Sequence, residues 1–138
     1  LVAERDNQEV VGCVALRDFG EGLEEIRSLI VREDCQGSGL GTRLIRAAME
    51  LACSRATTRV FALTVRPSVF ANLGFQIVPK TDFPAKVWSD CRLCPKRDCC
   101  DETAVVLPLP DYLRKPCCRK TSMTCSSRTA PGRRISGP

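Results

Sequence analysis

The sequence predicts an α/β (α+β) fold, with strands and helices combined in one domain. Three features predict it: β-rich runs, an amphipathic run at helical spacing, and a glycine-rich loop between them. The chain has 138 residues and 43% hydrophobic content, enough for one domain with a real core. It contains no run of about eighteen apolar residues, so we expect no transmembrane helix and no membrane partner.

Three strand-like runs open the chain. LVAE (1–4) and VVGCVALRD (10–18) are rich in β-formers, and the turn-like RDNQE between them predicts an antiparallel hairpin. A second turn, DFGEG, leads to LEEIRSLIV (23–31), in which side chains are expected to alternate between the two faces of a sheet. The residues that alternation places on one face are Glu25, Arg27, Leu29 and Val31.

A helix and further strands follow. Leucines and alanines at 40, 44, 48, 51 and 52 recur at helical spacing and predict an amphipathic helix of about four turns. RVFALTV (59–65) is typical of a buried strand. Pro67 opens a short helix, PSVFANL, which Gly74 ends. Two more strands are predicted at 75–79 and 103–109.

The loop between the third strand and the long helix has glycine at 37, 39 and 41. Such a loop is typical of an anion site, because free N–H groups and the positive end of the helix dipole converge there. The Rossmann fingerprint needs glycine where Thr42 stands, and a P-loop needs lysine there. A third pattern, [Gln/Arg]-x-x-Gly-x-[Gly/Ala], fits Gln36 to Gly41 and resembles the pyrophosphate loop of the GNAT acyltransferases.

The resemblance extends beyond this loop. EIRSLIV resembles the central strand of a GNAT domain, and FALTVRPSVFANLGF resembles its fifth strand, short helix and sixth strand. KVWSDCRLCPKRDCCDETAVV resembles the C-terminal segment of amino-acid N-acetyltransferases of the N-acetylglutamate synthase kind. Residues 1–109 are therefore identified as a GNAT domain, for which a mixed twisted sheet with flanking helices is expected.

The resemblance implies that acetyl-CoA is the co-substrate. Its pyrophosphate would lie on the N–H groups of the loop, and its acetyl and pantetheine groups would hydrogen-bond to the backbone at the end of the third strand. The residues implied to bind acetyl-CoA are Leu29, Ile30, Val31, Gln36, Gly37, Ser38, Gly39, Leu40, Gly41 and Thr42.

In GNAT enzymes a neutral amine attacks the thioester directly, so a base has to remove one proton. The chain has no histidine, and Glu25 stands where many GNAT enzymes carry a glutamate base. A solvated strand-end charge is the alternative for Glu25, and Glu24, on the other face, is the weaker candidate. Arg27 lies roughly 7 Å farther along the strand, where it could bind an amino-acid carboxylate or pair with Glu25 or Glu33.

The leaving thiolate lacks the usual acid. Many GNAT enzymes place a tyrosine four residues before a Gly-Phe pair, and Phe70 occupies that position here. The sole tyrosine is Tyr112, near the C-terminus. A thiolate whose acid has a pKa of about 8 to 9 is a tolerable leaving group, so water or Thr64 could supply the proton.

Cysteine placement does not fit a disulfide framework. Seven of the ten cysteines crowd into residues 91–125, and the chain has a core pattern, so we expect a reducing cytoplasm or an organelle matrix. Three of them have spacing compatible with zinc, but no fourth ligand is evident and reduced thiols are favoured over a metal site. These three candidates are Cys91, Cys94 and Cys100.

Basic charge is concentrated at the C-terminus. Residues 1–109 hold 14 Lys and Arg against 15 Asp and Glu, whereas residues 110–138 hold seven basic residues and one acidic residue. The C-terminal stretch has almost no large apolar residues, which predicts a disordered tail. Its basic residues show no pattern, so no specific nucleic-acid binding is expected.

The expected function is acetylation of an amino-acid α-amine, that of L-glutamate in arginine biosynthesis. Two alternatives stay open: a GNAT enzyme for another amine, and a silent acetyl-CoA-binding module. The resemblance begins at the second GNAT strand, so the first strand and two helices are expected upstream of Leu1. The edge of LVAE would then be unpaired, which favours self-association.

Overall fold

The structure, a computed structural model, describes residues 1–109 and 134–136. Within them, none of the helices is long and apolar enough to cross a membrane. The strands are β1 (Val2–Glu4), β2 (Val10–Asp18), β3 (Leu23–Val31), β4 (Arg59–Thr64), β5 (Gln76–Val78), β6 (Thr103–Pro108) and β7 (Arg134–Ser136); the helices are α1 (Leu40–Ser54), α2 (Pro67–Ala71) and α3 (Pro84–Ser89). The predictions of β1 to β6, α1 and α2 are confirmed to within two residues at each end, whereas α3 and β7 were not predicted.

The strands form one mixed sheet in the order β5-β6-β4-β3-β2-β1-β7. β1, β2 and β3 are antiparallel neighbours, and β3 runs parallel to β4, which it reaches through α1. The β3–β4 pairing covers only Leu23–Glu25 against Arg59–Phe61. β3 continues to Val31 and β4 to Thr64 without pairing further with each other. The two strands therefore separate and leave a cleft between their C-terminal ends.

Helix α1 packs on one face of the sheet. Its buried residues recur every three or four positions, as the predicted amphipathic stripe requires. Five of them have no exposed surface: Leu44, Ile45, Ala48, Met49 and Ala52. Each of the three larger side chains contributes about 2 kcal/mol by leaving water, so this stripe fixes α1 and the loop that precedes it against β2 and β3.

A smaller aromatic cluster covers the opposite face. Phe61 of β4 is fully buried and stacks on Phe83 with ring centroids 4.1 Å apart. Phe19 meets the ring of Phe61 edge-on at 5.6 Å. Because Phe83 immediately precedes α3, this stacking holds the short helix over the first residues of β3.

The strict alternation expected along β3 is wrong. Ser28 has a φ of 54°, and the pairing with β2 shifts by one extra residue on β3 between Ile30 and Arg27. This β-bulge reverses the alternation. Leu29 and Val31 therefore pack against the core beneath α1, whereas Arg27, like Glu25, meets charged residues of α3 on the other face.

The expected unpaired edge at β1 is also wrong. β7 pairs with it in parallel, with Val2 opposite Arg134 and Glu4 opposite Ser136. Apart from residues 134–136, the predicted disordered tail lies outside the described residues, as does Tyr112.

Candidate functional site

A cleft of about 610 Å³ lies where β3 and β4 separate. Its walls come from the end of β3, the glycine loop, the end of β4 and α2. Its size falls within the range of about 300–1,000 Å³ that is typical of small-molecule sites. Its lining includes Leu29, Val31, Gly37, Gly39, Thr64 and Phe70.

The glycine loop reaches the cleft with its backbone. Gly37 and Gly39 have φ of +77° and +81°, a region that costs other L-residues free energy. A Cβ atom built at either position meets nothing within 4 Å. A ligand can therefore approach this part of the backbone without steric obstruction.

The loop ends at the N-terminus of α1, where backbone donors remain available. Gly39 is the N-cap residue and makes no side-chain capping bond. The N–H of Arg43 donates to the carbonyl of Gly39 at 3.1 Å, whereas the first amides of a helix have no partner within it. Those of Leu40, Gly41 and Thr42 lie at the positive end of the helix dipole, so the arrangement favours an anion.

Two residues of the predicted acetyl-CoA site, Ser38 and Gln36, use their side chains to stabilise this loop. Ser38 Oγ donates a hydrogen bond to the carbonyl of Cys35 at 2.6 Å, and Gln36 Nε2 donates to the carbonyl of Val31 at 3.1 Å. Both side chains thus brace the loop. Its anion-binding capacity rests on the backbone.

The end of β3 contributes an apolar wall. Leu29 and Val31 line the cleft, whereas the side chain of Ile30 is 62% exposed and does not. Ile30 instead lies opposite Cys13 of β2. Of the three residues predicted at the end of β3, Leu29 and Val31 therefore have side chains in the cleft wall, and Ile30 does not.

Glu25 lies at the start of β3 and is only 2% exposed. Its Oε1 atom lies 2.8 Å from Nζ of Lys86, a lysine of α3 that is itself 7% exposed. Its Oε2 atom is buried and has no hydrogen-bond partner. One oxygen of the predicted base is thus held by a cation, and the other makes no hydrogen bond. Glu25 is not among the residues that line the cleft, so the structure does not bring the predicted base into the cleft wall.

Arginines and an aspartate surround this pair. Arg17, opposite Glu25 on β2, binds both oxygens of Asp90 at 2.8 and 2.7 Å. Arg27 lies 3.3 Å from Asp90 Oδ2 and 3.7 Å from Glu25 Oε2. These five residues, Arg17, Glu25, Arg27, Lys86 and Asp90, form what we call the charged cluster. With three cations and two carboxylates it has one excess positive charge, and its two arginine side chains are each about a third exposed.

Hydrogen bonding keeps Asp90 and Lys86 ionised. Contacts with Lys86 first, and with Arg17 second, lower the pKa of Asp90 well below its ordinary value. Burial lowers the pKa of Lys86, but its hydrogen bonds to Asp90 and Glu25 together outweigh burial, so that pKa is raised. Both groups therefore carry full charge at neutral pH.

Position 70, where the sequence predicted no acid for the leaving thiolate, has apolar surroundings. Phe70 is 3% exposed and meets Phe75 edge-on, with ring centroids 5.1 Å apart. Thr64, also in the cleft lining, accepts a hydrogen bond from the N–H of Arg66 at 3.0 Å. Its own O–H group can still donate toward the cleft.

The three zinc candidates are not brought together. Among residues 1–109 and 134–136, no group of three or more His, Cys, Asp or Glu residues is arranged to hold a metal ion. Cys91, Cys94 and Cys100 are free thiols, and Cys100 accepts a hydrogen bond from Nζ of Lys80 at 2.9 Å.

Sequence reasoning missed three members of the charged cluster, and two patterns could have indicated them. Lys86 and Asp90 are four residues apart, the spacing of a helical ion pair. Arg17 faces Glu25 because the turn at residues 19–22 sets the hairpin register. Either pattern indicates the cluster only when α3 is known to pack on the face of the sheet that carries Arg17 and Glu25.

Comparisons with known proteins agree with this geometry. Residues 1–77 match the family model for the acetyltransferase (GNAT) domain. The chain is 39% identical over 101 residues to the uncharacterized N-acetyltransferase CT2212 of Chlorobaculum tepidum, covering 73% of this chain but 65% of that protein.

Two solved structures are also similar. N-acetylglutamate synthase from Neisseria gonorrhoeae, complexed with coenzyme A and N-acetyl-glutamate, has a TM-score of 0.66 and 30% identity, covering 77% of this chain and 24% of that one. Rv2747 from Mycobacterium tuberculosis, in complex with CoA and NLQ, has a TM-score of 0.62 and 27% identity, covering 78% and 74% of the two chains.

Proposed function

Since the chain belongs to the GNAT acetyltransferase family, we propose that it transfers the acetyl group of acetyl-CoA to the α-amine of an amino acid, L-glutamate. The GNAT fold predicted from the sequence is confirmed by the family match and by the mixed sheet with its flanking helices. The activity and the acceptor are the proposal, because the chain spans 65% of one relative and 24% of another.

One observation carries the acetyl-CoA assignment: the glycine loop and the N-terminus of α1 face the cleft between β3 and β4. The pyrophosphate would take the backbone N–H groups at 37–42, which the positive φ of Gly37 and Gly39 leaves accessible. The pantetheine and acetyl groups would extend along Leu29–Val31, whose backbone we assign to hydrogen bonding with them. The similar structures from Neisseria and Mycobacterium were both solved with CoA.

The charged cluster supports an acceptor that carries a carboxylate. Its two guanidinium groups share one carboxylate, Asp90, which leaves one excess positive charge in the cluster. Guanidinium groups bind carboxylates with two parallel hydrogen bonds. Arg27 is the residue to which we assign the acceptor carboxylate. Similarity to a synthase solved with N-acetyl-glutamate supports L-glutamate among the amino acids.

Glu25 is assigned as the general base. The α-ammonium group of the acceptor, with a pKa of about 8, loses one proton to Oε2 through water, because Oε2 is buried and Glu25 does not line the cleft. The neutral nitrogen then attacks the thioester carbonyl carbon, a C–N bond forms, and the C–S bond breaks. The CoA thiolate leaves with the electron pair of that bond.

The thiolate takes its proton from water or from the hydroxyl of Thr64. Phe70 cannot supply one, and its buried ring against Phe75 makes this end of the cleft apolar. The phenylalanine at position 70, where a tyrosine acid is usual, is the specific observation that favours the second candidate. That candidate is a module that binds acetyl-CoA without turnover. A thiol is acidic enough to leave without help, so catalysis remains our first proposal.

An acceptor scan tests the proposal. Purified protein is given acetyl-CoA and each of a panel of amines, and free thiol and acetylated product are measured together. We expect L-glutamate to give the highest kcat/KM, with thiol and product formed in equal amounts. A higher value with an amine that lacks a carboxylate would refute the acceptor, whereas CoA binding without product would identify the silent module.

A further inference from the structure

Lys86 is a buried cation to which the reaction outlined above gives no task. Only 7% of it is exposed, yet Nζ contacts two carboxylates, Glu25 Oε1 at 2.8 Å and Asp90 Oδ2 at 2.7 Å. Removing an ammonium group and a carboxylate from water is costly, and an apolar pair of similar volume often serves stability equally well. The pair therefore calls for a reason other than stability.

The geometry around Glu25 supplies that reason. Lys86 holds one carboxylate oxygen, and the other is buried without a hydrogen-bond partner. An acceptor atom left unpaired in this way costs free energy. It is also the atom whose lone pairs are free to receive a proton. A carboxylate that could rotate would exchange its two oxygens, and a hydrogen bond to Oε1 prevents this.

Lys86 is itself fixed from the opposite side. Asp90, one helical turn farther along α3, accepts a hydrogen bond from its Nζ, and Arg17 binds both oxygens of Asp90. The chain of contacts therefore runs from β2 through α3 to the base on β3. The charged groups that face Glu25 are Arg17 from β2, Arg27 from β3 itself, and Lys86 with Asp90 from α3.

We propose that Lys86 is a positioning residue for the general base: it holds Oε1 of Glu25 and so fixes the orientation in which the buried Oε2 receives the proton. This inference rests on the proposed function, since it assumes that Glu25 removes the proton. It assigns α3, a helix outside the cleft, a part in the chemical step. It also explains why this buried cation lies beside a carboxylate that has an unsatisfied oxygen.

Turnover of three variants of the full chain tests it. In Lys86→Met we expect kcat to fall at least tenfold while the KM for acetyl-CoA stays unchanged. Lys86→Arg should recover most of the lost kcat. Lys96→Met, which removes an exposed lysine from the same segment, should match the wild type.

Two results would overturn the inference. A raised KM for the amine with unchanged kcat would make Lys86 an acceptor-binding residue. Wild-type kcat in Lys86→Met would leave it no role in the reaction.

A crystal structure of Lys86→Met provides a test that needs no turnover. The Glu25 carboxylate should leave the rotamer that it has beside Lys86 or occupy more than one rotamer. If Lys86→Met does not fold, Asp90→Asn keeps Lys86 but removes its anchor, and a smaller displacement of the Glu25 carboxylate is expected. An unmoved Glu25 side chain would refute the inference. If no amine is acetylated, the proposed function fails, and this structure still decides the role of Lys86.

Discussion

Gly39→Asp should weaken CoA binding without disturbing the rest of the fold. Gly39 caps α1 at a φ of +81°, and the space beyond its Cα is empty. An aspartate side chain there would enter the place assigned to the pyrophosphate. Aspartate is among the residues that tolerate this backbone conformation, so the strain is small and the added charge accounts for the effect.

The size of the effect follows from Coulomb's law. A carboxylate about 6 Å from one phosphate charge is repelled by about 3 kcal/mol at the effective dielectric constant of about 20 that suits protein surfaces. Physiological salt screens roughly half of this, which leaves about 1.4 kcal/mol, or a tenfold loss of affinity. The loss should be larger at low salt.

Thermal unfolding and calorimetry with CoA measure this prediction. At a hundred-fold excess over the wild-type Kd, CoA should stabilise the wild type by about 2.7 kcal/mol and Gly39→Asp by about 1.4 kcal/mol. Gly20→Asp is the matched control. Gly20 has a φ of +83° and equally open space, but it lies in the turn before β3, roughly 25 Å from the loop.

The control should bind CoA like the wild type. Equal CoA affinity in wild type, Gly39→Asp and Gly20→Asp at low salt would show that the pyrophosphate does not lie on this loop. An equal loss in both variants would trace the effect to net charge and refute the local contact.

Other consequences can be measured on the same protein. Glu25→Gln should lower kcat roughly a hundred-fold with an unchanged KM for acetyl-CoA, and equal activity of both proteins from pH 7 to 9 would remove Glu25 from the mechanism. Because the pKa of Asp90 is lowered on folding, its stabilisation is present at neutral pH and is lost as the pH falls below about 4. Urea unfolding should therefore show wild type more stable than Asp90→Asn at pH 7, with a gap that narrows in acid; a constant gap would contradict the ion pairing. Ile30, Ile77 and Leu93 are more than 60% exposed, so sedimentation under reducing conditions should reveal concentration-dependent self-association, and a monomer at every concentration would disprove it.

Local sequence patterns predicted most of the fold. The run of β-formers in β2, the stripe of α1 and the proline that opens α2 each depend on neighbouring residues, and the structure has all three elements. The bulge at Ser28 was not predictable in this way. It places a serine at a positive φ, and nothing in LEEIRSLIV requires that.

The sequence predicted only those parts of the candidate site that are contiguous in the chain. The loop from Gln36 to Thr42 is contiguous, so its pattern could be recognised in the sequence. The charged cluster joins β2, β3 and α3, with Arg17 and Asp90 separated by 73 residues. Its assembly depends on the stacking of Phe83 on Phe61, which packs α3 onto the sheet and which no local pattern reveals.

A crystal structure of the chain with CoA and N-acetyl-L-glutamate would test the central claim most directly. We predict pyrophosphate oxygens within hydrogen-bond distance of the backbone N–H groups at 37–42. We also predict that the amide nitrogen of the product lies within one water molecule of Glu25 Oε2 and that its carboxylate contacts Arg27. CoA bound outside the cleft between β3 and β4, or a product whose nitrogen lies away from Glu25, would contradict it.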